Sequence, residues 1–190
     1  MGVNYKKALD NIRKNIIEPL KSQHEVDIYL VTYENPKLTE LATDFGACSV
    51  NFFNMAQNNQ TSLVIKGLEI IRDTNVRYDV IIITRFDVEL KENINNMSIE
   101  WCKFNFTFRE TASLWQVQRR IGDTFTIFPW NHLGTMLSSL YNNRQPEHMH
   151  LIYDYIVNEI EAHNIHFMHD ECFDSAQNNP IYRIIRGCHA

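Results

Sequence analysis

The stretch that most constrains this chain is residues 78–84, YDVIIIT. Residues 80–83 are four branched aliphatics in a row. A strand sends successive side chains to opposite faces, so this run is apolar on both. A strand of that kind has to lie between two covering layers, as in the centre of a parallel α/β sheet. It is also the longest apolar run in the chain and far short of the roughly 20 residues a membrane-spanning helix needs, so no transmembrane segment is expected.

The flanking pattern supports the same class. Ala8, Leu9, Ile12, Ile16 and Leu20 follow Tyr5 at helical spacing, predicting a helix that ends near Pro19. Residues 26–32 (VDIYLVT) read as a strand, and residues 38–44 as a short helix stopped by Gly46. Thr61 or Ser62 is placed to cap a helix carrying Leu63, Val64, Leu68 and Ile71. Beyond residue 84, Cys102, Phe104, Phe106 and Phe108 alternate with polar residues, predicting a half-buried strand. Residues 124–128, 165–168 and 182–185 read as strands, and 131–141 and 147–163 as helices. The first half alternates as a parallel α/β sheet does, and the second half is α+β in character. No repeat, low-complexity tract or Gly/Ser/Pro linker divides the sequence. The expectation is a single domain over residues 1–190, standing alone or within a longer polypeptide.

Charge narrows the partners. The net charge is −5 and no basic stripe stands out, so nucleic acid is not an expected partner. An acidic chain that binds a diphosphate needs a divalent cation and a few placed arginines. The four cysteines are scattered, without CxxC or zinc spacing, and read as reduced thiols. The N-terminal stretch is charged and amphipathic rather than a signal peptide, so the expected location is cytoplasmic, the host cytoplasm if the protein is viral. Asn-x-Ser/Thr triplets begin at Asn59, Asn96 and Asn105, which an Asn-rich chain produces by chance.

Ligands of open α/β sheets bind at the carboxyl ends of the strands. Arg85, Phe86 and Asp87 leave the 80–84 strand there. A carboxylate at Asp87 can hold Mg²⁺ or Mn²⁺ against two phosphate oxygens, and Arg85 offers a planar donor to phosphate or a pyrimidine edge. A loop cap at Asp87 with a surface ion pair at Arg85 is an equally open reading.

The segment YDVIIITRFDV (78–88) resembles the one bearing the acidic metal motif of GT-A fold glycosyltransferases, in which Asp-x-Asp follows a central strand. Here Arg85 stands at the first acid, which leaves Asp87 as the acid carried over. The resemblance extends to SLVIKGLEIIRD (62–73), to GDTFTIFPWNHL (122–133) on the acceptor side, and to HDECFDSAQNNPIYRIIR (169–186). The small capsid-glycosylating transferase domains of chlorella-type large DNA viruses are the nearest likeness. The resemblance implies a GT-A-like (Rossmann-like) α/β fold with a mixed, mostly parallel central sheet flanked by helices. It further implies a metal-dependent transferase using Mn²⁺ or Mg²⁺, a UDP-linked nucleotide-sugar donor, and a glycan or glycoprotein acceptor. GT-A domains open on a strand whose end meets the base, whereas this chain opens on a helix with only residues 2–5 as a remnant. Base contacts then fall to Thr32 and Tyr33, with Tyr33 stacking on uracil.

An inverting transfer needs a carboxylate to take the acceptor hydroxyl's proton, and Asp123, Asp170 and Glu171 are the candidates. His169 is a further candidate metal ligand, and Trp130 a platform for a sugar ring. Trp101 reads as core, and Arg119 with Arg120 as a solvated pair or a phosphate contact. A non-catalytic nucleotide-sugar or glycan-binding domain is the alternative, favoured by Arg85 in place of an acid. A nucleotidyltransferase is disfavoured because the glycines are isolated and form no phosphate loop.

Overall fold

The computed structural model describes residues 5–34, 36–54, 59–111, 114–143, 149–174 and 179–185. The remnant at residues 2–4, the polar loop at 144–146, the start of the 147–163 helix, and Arg186 and Cys188 lie outside them. Helix α1 (Tyr5–Ile12) passes through a π-helical turn, Arg13–Ile17, into α2 (Glu18–Lys21). Pro19 lies inside this helix rather than ending it. Proline lacks an N–H and crowds the carbonyl one turn back, and the wider π turn just ahead lets the helix run on.

Strand β1 (Tyr29–Tyr33) starts later than the pattern predicted. Helix α3 (Leu38–Phe45) stops at Gly46, whose φ of 60° is the left-handed conformation expected of a C-terminal glycine. Strand β2 (Ser49–Phe53) was not legible, because its partly buried residues do not alternate cleanly. Helix α4 (Gln60–Asp73) is capped by Asn59, not by Thr61 or Ser62. The Ser62 N–H donates to Asn59 Oδ1 at 2.9 Å and the Asn59 N–H to Ser62 Oγ at 2.8 Å, a reciprocal capping box.

Strands β3 (Val80–Thr84), β4 (Val88–Leu90), β5 (Phe104–Phe106), β6 (Arg109–Glu110) and β7 (Phe125–Pro129) follow. Helices α5 (Leu133–Asn142) and α6 (Tyr153–Glu159) precede β8 (Ile165–Phe167), β9 (Cys172–Phe173) and β10 (Tyr182–Ile184). The predicted 147–163 helix is shorter: a 3₁₀ turn at Met149–Leu151 leads into α6, and a second at Ala162–Asn164 follows it.

The main sheet has the order β3-β7-β5-β8. β7 runs antiparallel to both β3 and β5, and β5 is parallel to β8, so three of the four strands share one direction. β1 pairs with β2 in parallel. Smaller pairs join β4 to β10, antiparallel, and β6 to β9, parallel. The fold is therefore mixed α/β, with a mixed central sheet flanked by helices.

The apolar run is covered on both faces as expected, but β3 is the end strand of its four-stranded sheet and its partner β7 is antiparallel, so it is not the centre of a parallel sheet. Val80 and Ile82 pack into a core with Ile12, Ile16, Leu41 and Phe45. Ile81 and Ile83 pack into a second core with Leu68, Leu133 and Leu137. Hence α1 and α3 cover one face, and α4 and α5 the other. β5 is not half-buried: Phe104, Asn105 and Phe106 are all fully buried. Asn105 tolerates this because its amide donates to the carbonyls of Glu100 and Lys103 and accepts from the Glu100 N–H. Trp101, read as core, is 44% exposed.

Candidate functional site at the carboxyl end of β3

A cavity of about 920 Å³ runs along β3, with β1 on its far side. Aliphatic side chains line most of it. Polar residues line both ends: His24, Glu25, Asp27 and Asp79 where β3 begins, and Thr32, Tyr33, Arg85, Asp87 and Asp123 where it terminates. The structure thus gathers five of the residues singled out in the sequence around one space.

Arg85 and Asp87 grip each other. Arg85 Nε donates to Asp87 Oδ1 at 2.9 Å and an Nη to Oδ2 at 2.6 Å, a bidentate pair that is only partly exposed. Burial works against the Arg85 charge, but the bonds and charge of Asp87, with Asp123 behind it, outweigh burial and raise its pKa.

Asp123 is 8% exposed. It follows Gly122, where a Cβ would stand 2.3 Å from Thr107 Oγ1, so the backbone approaches that close only because there is no side chain. Asp123 Oδ2 accepts from Gln60 Nε2 at 3.1 Å and lies 3.4 Å from His150 Nε2. The other ring nitrogen, Nδ1, lies 2.8 Å from the Ile121 carbonyl and 3.1 Å from Glu110 Oε2. Arg120 Nε donates to that same Glu110 oxygen at 2.8 Å. A line of side chains therefore runs Arg120–Glu110–His150–Asp123–Gln60. Sequence reasoning missed Glu110, His150 and Gln60, which meet only through the fold and share no local spacing.

Three threonines on the cavity wall, Thr32, Thr84 and Thr124, carry buried hydroxyls with no hydrogen-bond partner among the described residues. Buried hydroxyls are nearly always paired, and Thr61, Thr107 and Ser139, away from the cavity, share this feature among the described residues. Trp101 also borders the cavity.

The other candidates are placed elsewhere. Trp130 sits at the opposite end of β3, its N–H donating to the Asp79 carbonyl at 3.0 Å and its ring 5.7 Å from that of Tyr78. His169 donates its backbone N–H to Thr107 and sets its ring edge-on to Phe173. The Asp170 side chain is 97% exposed, 4.0 Å from Arg109, and Glu171 is exposed as well. Trp130, His169, Asp170 and Glu171 do not border the cavity. Arg119 pairs with Asp154, and Arg120 with Glu110, so they are not a solvated pair.

Among the described residues no three His, Cys, Asp or Glu side chains converge as a metal cage. Both oxygens of Asp87, the acid carried over by the resemblance, are held by Arg85. No helix among the described residues is long and apolar enough to cross a membrane. No protein-family model matches this chain, and no curated protein matches it.

Proposed function

We propose that this protein is a metal-dependent glycosyltransferase that moves a sugar from a nucleoside diphosphate sugar, UDP-linked, to a glycan or glycoprotein acceptor. The observation that carries the reading is the meeting of Arg85, Asp87 and Asp123 with unpartnered threonine hydroxyls at the carboxyl end of β3. In this reading Arg85 exchanges its carboxylate partner for the diphosphate, whose oxygens suit a planar fork of donors. Asp87, so released, would hold Mn²⁺ or Mg²⁺, which would supply charge stabilisation for the departing diphosphate. Thr32 and Tyr33 at the end of β1 take the base.

Asp123 is the general base. The acceptor oxygen bonds to the anomeric carbon as the bond from that carbon to the diphosphate breaks, and the hydroxyl proton passes to Asp123. Gln60 and His150 both contact Oδ2, which fixes the carboxylate and leaves Oδ1 for the proton. Asp170, Glu171, His169 and Trp130 have no part in this reaction as drawn, since they lie away from the cavity. Trp101 borders the cavity too, but it precedes β5, whose start lies level with the start of β3, so it stands at the same far end as Trp130 and has no part in the reaction.

A non-catalytic nucleotide-sugar or glycan-binding domain is the second reading, favoured by the Asp87 carboxylate being already neutralised by Arg85. Calorimetric titration with UDP and UDP-sugars, in Mn²⁺ and then in EDTA, tests both. Binding that needs Mn²⁺ and is lost in Asp87→Ala is the expected result. Sugar turnover with a glycan acceptor would separate the enzyme from the binder, and absence of binding under every condition would overturn the transferase and the nucleotide-sugar-binding readings.

A further inference from the structure

Near the carboxyl end of β3 the carboxylates Asp87, Glu110 and Asp123 have little exposure, and their counter-charges are unevenly shared. Arg85 holds both oxygens of Asp87. Arg120 Nε donates to Glu110 Oε2 at 2.8 Å. Asp123, 8% exposed, has no arginine or lysine at ion-pair distance among the described residues. Arg85 feels its charge from farther off, with its own fork turned to Asp87. What touches Asp123 is the neutral amide of Gln60, donating to Oδ2 at 3.1 Å, and His150 Nε2, 3.4 Å from the same oxygen. A carboxylate that water reaches poorly needs a counter-charge. His150 is the contacting side chain able to supply one.

The other ring nitrogen fixes the protons. Nδ1 lies 2.8 Å from the Ile121 carbonyl and 3.1 Å from Glu110 Oε2. A carbonyl and an arginine-bound carboxylate only accept, so Nδ1 carries a proton. A neutral ring of that form would turn the Nε2 lone pair toward Asp123 Oδ2, lone pair against lone pair. A second proton, on Nε2, turns that repulsion into an ion pair. The Ile121 N–H also donates to the His150 carbonyl at 3.0 Å, so main chain and ring are clamped to the same residue. The neighbouring Arg119 is turned to Asp154, at 2.5 Å. With His150 charged, the cations Arg85, Arg120 and His150 balance the anions Asp87, Glu110 and Asp123. With it neutral, one poorly hydrated anion is left over.

We infer that His150 is the counter-ion of Asp123, a doubly protonated imidazolium held between Glu110 and Asp123 that keeps Asp123 ionised. The charge assignment stands on geometry. Its role in turnover rests on the transferase reading, in which His150 is a positioning residue acting through Asp123. Its charge makes Asp123 enter the reaction as a carboxylate, and its hold on Oδ2 leaves Oδ1 to receive the acceptor's proton. Loss of the Nε2 proton at high pH removes the counter-charge, so turnover is expected to fall on the alkaline side.

The test is NMR of the full chain labelled with nitrogen-15. Two-bond proton–nitrogen spectra report the protonation of each ring nitrogen, and His150 is identified by the signal lost in His150→Gln. At pH 7, where a free imidazole is mostly neutral, both nitrogens of His150 are expected in the protonated form. In Asp123→Asn, which keeps the shape and removes the charge, Nε2 is expected to lose its proton while Nδ1 keeps its own. A neutral His150 in the wild type would overturn the inference. So would a doubly protonated His150 in Asp123→Asn, since its charge would then belong to Glu110. Neither result depends on sugar transfer, so failure of the transferase reading is told apart and shows instead as absence of UDP-sugar binding. In turnover, His150→Gln is expected to lower kcat by about tenfold or more, to leave the donor KM unchanged and to erase the alkaline fall. An alkaline fall that persists in His150→Gln would overturn the positioning role.

Discussion

His150 stands between two buried carboxylates, and that position defines a test needing no substrate. Glu110 and Asp123 are 7% and 8% exposed, and His150 contacts both. In His150→Ala each acid loses a neighbour in a place that water reaches poorly. We expect a loss of about 1–3 kcal/mol in urea unfolding, the usual penalty for stranding a buried polar group. His150→Gln keeps an amide donor and should recover part of that loss. Equal stability of His150→Ala and wild type would show that Arg120 and Gln60 suffice. At this scale the sequence was informative where chemistry follows from position along a strand. Arg85 and Asp87 leave the most apolar strand, and Asp123 directly precedes another, so all three could be named. His150 and Glu110 are 40 residues apart and neither belongs to a local pattern, so only the folded chain brings them to Asp123. The converse failure is Trp130, which sits within the promising 122–133 segment but at the wrong end of β3.

At the level of elements, the β4–β10 ribbon is tied to α1 through one carboxylate. Arg183 Nε donates to Glu89 Oε2 at 2.7 Å, and Lys7 Nζ lies 3.4 Å from the same oxygen. Burial alone would push the Glu89 pKa up, but Arg183 and Lys7 together outweigh it and hold it below the ordinary 4.5. A carboxyl with a depressed folded-state pKa stabilises the fold above its unfolded value, and that contribution disappears as pH falls through the folded value. Wild type should therefore exceed Glu89→Gln at pH 7 by about 0.5–1 kcal/mol, a modest figure because both cationic partners are largely exposed. Urea titrations at descending pH should show the gap beginning to close near pH 4.5 and vanishing below it. A gap that persists in acid would exclude the ion pairs as its cause. The elements also show what a sequence pattern conveys. The aliphatic run marked β3 as covered on two faces, because burial depends on side chains, yet it could not reveal an antiparallel partner, because pairing depends on backbone. The helix does end near Pro19 as expected, at Lys21, after a π turn that the pattern could not show.

Taken whole, the molecule has a firm half and a looser one. β7 and β5 lie inside the main sheet, and Phe104, Phe106, Phe125, Ile127 and Phe128 are fully buried. β1 and β2 pair with each other and are separated from that sheet by the cavity. What ties them to it is α1 and α4 on the two faces, together with the hydroxyl chain Tyr29–Tyr78–Asp27. Burial first, and then the bonds to Tyr29 and Asp27, hold the Tyr78 phenol protonated far above its usual range, so this tie persists into alkaline solution. Local opening requires breaking only the contacts that bind a unit to its neighbours. β1 and β2 should therefore open together, without the main sheet, and their amides should exchange at least about tenfold faster than those of β5 and β7. Tyr78→Phe removes the hydroxyl that makes both bonds, and should speed exchange in β1 and β2 while leaving β5 and β7 unchanged. Uniform exchange across all four strands, or a Tyr78→Phe effect spread evenly over them, would mean that the helices alone weld the two halves into one cooperative unit. The expected pattern would instead make the mobility of β1, and of Thr32 and Tyr33 at its end, a property of the same open edge that borders Arg85 and Asp87.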